Sequence, residues 1–103
     1  MEIPTSPEAA FSSWLIDTAS YGEKALTNMR AVFNGQPREH EGVNVKEFFR
    51  RLSGFEEASK GIASLNPEIT KCVTELREIQ LDGSNEVSDQ AIALVRKLKS
   101  LSN

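Results

Sequence analysis

The chain has 103 residues, of which 39% are hydrophobic and 26% are charged, and its formal net charge is −3. This length and composition are typical of one globular domain and exclude a disordered tail. The mild acidity argues against binding to nucleic acid or to an anionic membrane surface, because both interactions need clustered Lys and Arg.

The first predicted helix covers residues 7–34. Ser6 can cap it, Pro7 suits its first position, and Asn34–Gly35 can end it. Apolar and small residues at steps of three and four form one stripe along it: Phe11, Trp14, Leu15, Thr18, Ala19, Gly22, Ala25, Leu26, Met29, Val32 and Phe33. The stripe keeps its phase through Gly22, which favours one long helix in which the missing side chain lets another backbone approach. A bend at Gly22 is the alternative, because glycine in a helix interior costs about 1 kcal/mol relative to alanine.

The second predicted helix covers residues 45–64. Asn44 can cap it, and Glu47 follows three residues later, a pattern that resembles a capping box with Asn in place of Ser or Thr. Gly54 and Gly61 fall on the polar side of this segment. We therefore expect a helix that is locally weak and that depends on packing.

The remaining predicted helices cover residues 67–81 and 85–101. Asn66 can cap the first of these, with Pro67 at its first position, and either Ser84 or Asn85 caps the last one. No segment alternates between apolar and polar residues as a half-buried strand would. Amphipathic helices must bury their apolar stripes against one another. The sequence therefore predicts an all-α fold, a small four-helix bundle with a long first helix, in a single helical domain over 1–103.

His40 is the only histidine, and a glutamate lies on each side of it. The run that starts there is not the zinc motif H-E-x-x-H, because Asn44 stands where the second histidine would be. We expect His40 in a loop, and we expect Cys72, which shares the apolar stripe of the third helix, to be a buried thiol. The pattern contains no catalytic residues, no metal ligands and no cofactor site, so we expect a protein that is not an enzyme.

Protein binding is the function that these patterns favour, with the chain acting as an inhibitor, an immunity factor, an adaptor or a secretion-associated partner. Ile16 and Ile92 lie outside the apolar stripes, and Tyr21 lies at the edge of one. If folding brings them together, these three residues form a candidate docking patch. The acidic balance of the chain favours a basic partner protein.

A helix-turn-helix regulator that binds nucleic acid is the alternative, with the second and third helices as its two elements. The third helix has three glutamates against Lys71 and Arg77, which disfavours it as a recognition helix. The single cysteine and the absence of a signal-peptide pattern favour a cytoplasmic protein with no membrane association. Export by a route that reads no such signal stays open, and the sequence assigns no oligomeric state.

Overall fold

The computed structural model describes residues 6–102, and helices are the regular elements of this range. The helices are α1 (Pro7–Phe33), α2 (Val45–Leu52), α3 (Phe55–Ala58), α4 (Pro67–Glu78) and α5 (Asn85–Leu101). The predicted all-α class with a long first helix is confirmed. Residues 1–5 and 103 of the predicted domain lie outside the described range.

The predicted caps explain where four of these helices begin. A side-chain oxygen of each cap residue accepts a hydrogen bond from a backbone N–H two or three residues later, at Ser6, Asn44, Asn66 and Ser84. Each bond satisfies a donor that a helix start otherwise leaves unpaired. Between the two predicted caps of the last helix, the structure selects Ser84, which accepts from the Val87 N–H at 3.3 Å.

α1 is the central element of the fold. It packs along α5 and against α2, and α4 packs on α5. Two ion pairs tie α1 to α5, Arg30 with Asp89 at 3.1 Å and Arg96 with Glu23 at 3.1 Å. Of the two α1 residues, the earlier one, Glu23, pairs with the later α5 residue, Arg96. The two helices therefore run antiparallel. The core lies between these helices, and α5 is covered by α1 and by α4.

Gly22 lies in the middle of α1, which is continuous through it. The predicted close approach at this glycine is confirmed, but an aromatic ring makes it instead of a backbone. A Cβ atom added to Gly22 would lie 2.6 Å from Cζ of Phe48, and Phe48 is fully buried. The glycine therefore creates the space into which α2 inserts the ring of Phe48.

The predicted helix over residues 45–64 is wrong in its second half, because α2 ends at Leu52. The guanidinium of Arg77 on α4 donates to the Leu52 carbonyl oxygen at 2.9 Å and forms an ion pair with Glu56. In a continuous helix this carbonyl would accept from the backbone N–H of Glu56. The chain instead turns at Ser53–Gly54 and resumes as the single turn α3, so a contact from α4 stabilises the break.

We predict that Arg77→Met lowers the urea midpoint of unfolding at pH 7. The substitution removes both the hydrogen bond to the Leu52 carbonyl oxygen and the ion pair with Glu56. Arg77 holds the pKa of Glu56 at about 2, against an ordinary value of 4.5. A carboxyl with a lowered folded-state pKa stabilises the fold above its unfolded pKa and loses that contribution as the pH falls. Urea titrations should therefore show the gap between wild type and variant shrinking between about pH 5 and pH 2. A gap that stays constant over this range would contradict the ion pair.

The C-terminal end of α1 departs from the predicted stripe. Val32 is 57% exposed and Phe33 is 56% exposed, although the stripe placed both in the core. Val45, at the start of α2, lines a groove with Met29 and Val32, so Val32 borders α2 without being covered by it. Phe33 lies instead beside Gly83, in the loop before α5.

α4 ends at Glu78, before the predicted boundary at residue 81. Ile79 adopts an extended backbone with φ −69° and ψ 133°, which stops the helical hydrogen bonding. Leu81 then packs against the core from the connecting segment instead of from a fourth turn of helix.

Candidate functional site

The structure does not bring the predicted docking residues into one patch. Ile92 is only 7% exposed and belongs to the core, so the prediction that it lies on the surface is wrong. Its burial follows from the position of α5, because a helix packed on two sides buries a wider arc than the stripe indicates. Ile16 is partly exposed on α1. Thr27 of α1 lines a cleft together with Ile92. Ile16 lies three turns, roughly 16 Å along α1, before Thr27 and is therefore distant from Ile92.

Tyr21, the third predicted docking residue, is partly buried and holds α2 to α1. Its hydroxyl oxygen accepts a hydrogen bond from the Asn44 N–H at 3.2 Å. The guanidinium of Arg51 lies over its ring, 4.0 Å from the centroid, in a cation–π contact. On a helix Tyr21 projects about 140° away from Ile16, so these two side chains face different sides of α1.

His40 lies in the loop between α1 and α2, as predicted, and the buried side chain of Asn28 holds its backbone. The Asn28 Nδ2 group donates to the His40 carbonyl oxygen at 2.6 Å, and the His40 N–H donates to Asn28 Oδ1 at 2.9 Å. Sequence reasoning missed Asn28, because a single polar residue among apolar ones in α1 carries no signal of a long-range partner. The pair fixes the loop from which α2 starts.

Cys72 is buried, as predicted, and this burial raises the pKa of its thiol. Within residues 6–102, no three residues among His, Cys, Asp and Glu lie close enough together to hold a metal ion. Over the same range, no helix has the length and apolar character needed to cross a membrane.

An apolar groove of about 480 Å³ lies between α4 and α5, which we call the α4–α5 groove. Its lining residues are Glu75, Ile79, Gln90, Ala93, Leu94 and Lys97. Ile79, Ala93 and Leu94 supply the apolar surface, and the polar residues stand along the two rims. A groove between two antiparallel helices can accept the side-chain ridge of a third helix.

The charges around the α4–α5 groove are unevenly distributed. Lys97 is paired with Glu68 across one end, at 3.2 Å, and this hydrogen bond raises the pKa of Lys97. Glu75, on the α4 rim, forms no salt bridge with any residue between 6 and 102, but it lies close enough to Lys97 to contribute to the raised pKa of that group. Glu86 lies one helical turn before Gln90, toward the end of the groove away from Lys97. The carboxylates of Glu75 and Glu86 therefore make the α4 rim and this end of the groove acidic.

Sequence reasoning did not identify this groove, although its apolar residues belong to or border the predicted stripes. The helical spacing of apolar residues predicts that Ile79 and Leu94 belong to the stripes that pack between helices. They border the α4–α5 interface without closing over each other, and both remain partly exposed. The spacing of apolar residues reports which face of a helix packs, but it does not report how far apart two packed helices stand.

Comparisons with protein-family models, with curated proteins and with solved structures find no match to this chain. The case for a function therefore depends on the geometry and the charges described above.

Proposed function

We propose that the protein is a binding module that takes a basic amphipathic helix of another protein into the α4–α5 groove. The observation that carries this proposal is the apolar floor of Ile79, Ala93 and Leu94 in a groove that Glu75 lines and that Glu86 flanks one turn before Gln90. A partner helix would bury its apolar side chains on this floor. Its Lys or Arg residues would meet Glu75 and Glu86.

The size of the groove supports a peptide occupant. Its volume of about 480 Å³ falls within the roughly 300–1,000 Å³ that ligand clefts occupy, which is sufficient for a few inserted side chains. The acidic end favours a basic partner through long-range attraction, which raises the association rate and excludes acidic competitors.

Two designed peptides test the proposal. Each is a capped helix of about 18 residues with leucines on one face, the spacing by which helices fill such grooves, and the other face carries lysines in one peptide and glutamates in the other. Added to the ¹⁵N-labelled protein, the lysine peptide should shift the amide resonances of Ile79, Ala93 and Leu94 in a saturable way. The glutamate peptide should leave them in place.

The matched variants are Ala93→Lys in the groove and Ala10→Lys on α1. Both replace an exposed helical alanine and raise the net charge of the protein by one, so the two variants are matched in net charge. Because Ala93→Lys fills the floor and places its charge inside the groove, we expect it to weaken binding by at least about tenfold relative to Ala10→Lys. Equal affinities for the two variants, or equal binding of the two peptides, would exclude the groove as the binding site.

The nucleic-acid alternative has less support. Arg77, one of the two cations of α4, is held by Glu56 and by the Leu52 carbonyl oxygen. We expect no binding of duplex DNA at low salt, and retention that falls steeply with added salt would favour the alternative.

A further inference from the structure

A second apolar surface lies at the C-terminal end of α1, away from the α4–α5 groove. Within residues 6–102, Val32 and Phe33 are the large hydrophobic residues that the fold leaves exposed, with 57% and 56% of their surfaces accessible. The two side chains point to different places, because the ring of Phe33 lies beside Gly83 in the loop before α5, whereas Val32 lines a groove. Single exposed apolar residues are common on proteins, so the groove beside Val32 carries the argument.

The groove beside Val32 is formed by α1 and the start of α2, and we call it the α1–α2 groove. Its volume is about 240 Å³, and its apolar walls are Met29, Val32, Val43 and Val45. This is smaller than the roughly 300–1,000 Å³ of pockets that enclose small molecules. The size therefore suits one inserted side chain of a partner.

Among residues 6–102, Arg38 is the only charged residue that lines the α1–α2 groove. It forms no salt bridge with any of residues 6–102. The neighbouring Glu39 lines a different cleft, together with Arg30.

The other two polar residues of the groove are already engaged within the chain. Both polar atoms of the Asn28 side chain bond to the backbone of His40, and the side-chain oxygen of Asn44 accepts from the Glu47 N–H at 2.8 Å. Arg38 is left as the side chain that can select a ligand by charge.

We propose that the α1–α2 groove binds an acidic peptide segment of another protein, with one apolar side chain inserted beside Val32 and a neighbouring carboxylate paired with Arg38. The two grooves share no lining residue, and their charges are opposite. The protein would then hold two partners at once, one basic and one acidic, and would act as an adaptor.

A pair of capped peptides tests this second site in the full chain. In one peptide a phenylalanine is flanked on each side by two glutamates, and in the other the glutamates are replaced by lysines. We expect the glutamate peptide to shift the amide resonances of Val32, Val43 and Val45 in a saturable way, and the lysine peptide to leave them unchanged.

Two neighbouring charge-removing variants separate the site from general electrostatics. Arg38→Gln should lower the affinity for the glutamate peptide by about five- to tenfold, because it removes the paired cation. Glu39→Gln removes a charge one residue away, on the other cleft, and should not weaken binding. Val32→Asn, at an exposed position that the fold does not need, should also weaken it.

Binding that Arg38→Gln leaves unchanged would overturn the proposal. The same holds for shifts confined to residues outside the α1–α2 groove, for equal binding of both peptides, and for no binding of the glutamate peptide. None of these outcomes bears on the α4–α5 groove, which different variants and a different peptide test.

Discussion

Gly22→Ala is expected to destabilise the protein by about 2–3 kcal/mol, although alanine is the better helix former. The new methyl group would lie 2.6 Å from Cζ of Phe48, inside the van der Waals contact distance, so the fully buried ring of Phe48 or α2 itself must shift. The gain in helix propensity, about 1 kcal/mol, is smaller than the cost of forcing α2 away from α1. Chemical denaturation monitored by circular dichroism measures the difference.

A double-mutant cycle identifies the clash as the cause. Phe48→Leu shortens the side chain that meets Gly22, so Gly22→Ala should cost less in the Phe48→Leu background than in wild type. Ser13→Ala, at an exposed position on the same helix, should change the stability by no more than about 0.5 kcal/mol. Additive effects in the cycle, or a Gly22→Ala protein more stable than wild type, would show that the ring does not occupy this space.

Asn28→Ala is expected to cost about 2–3 kcal/mol, because it removes two hydrogen bonds and leaves the N–H and carbonyl of His40 without partners. The bonds measure 2.6 and 2.9 Å, and the Asn28 side chain is buried. Since they fix the loop that leads into α2, amide hydrogen exchange should accelerate in residues 38–44 more than in α5. Equal acceleration everywhere would mean that Asn28 contributes to overall stability without anchoring the loop.

Asn28→Asp distinguishes hydrogen bonding from packing. The aspartate keeps the size of the side chain and the acceptor for the His40 N–H, but when ionised it faces the His40 carbonyl oxygen without a proton to donate. We expect it to be at least as destabilising as Asn28→Ala at pH 7. Below about pH 4 a protonated carboxyl can donate again, so Asn28→Asp should then become the more stable of the two variants.

Local signals in the sequence determined where helices begin. Ser6 with Pro7, Asn44 with Glu47, and Asn66 with Pro67 each combine a cap with residues suited to a first turn, and the structure starts a helix at each. These signals are reliable because a cap bonds to a backbone N–H only two or three residues away. The helical spacing of apolar residues is likewise a local property of each segment. The all-α class and the burial of Cys72 could therefore be predicted from it.

The tertiary structure alone decided where α2 and α4 end, how the stripes are covered and where the grooves lie. The break after Leu52 is stabilised by Arg77, 25 residues further along the chain, which donates to the Leu52 carbonyl oxygen. Ile92 is buried because α5 packs on two neighbours, and Val32 is exposed because it borders the start of α2 without being covered. Each of these outcomes depends on which distant elements meet, whereas the periodicity of a segment reports only its own two faces.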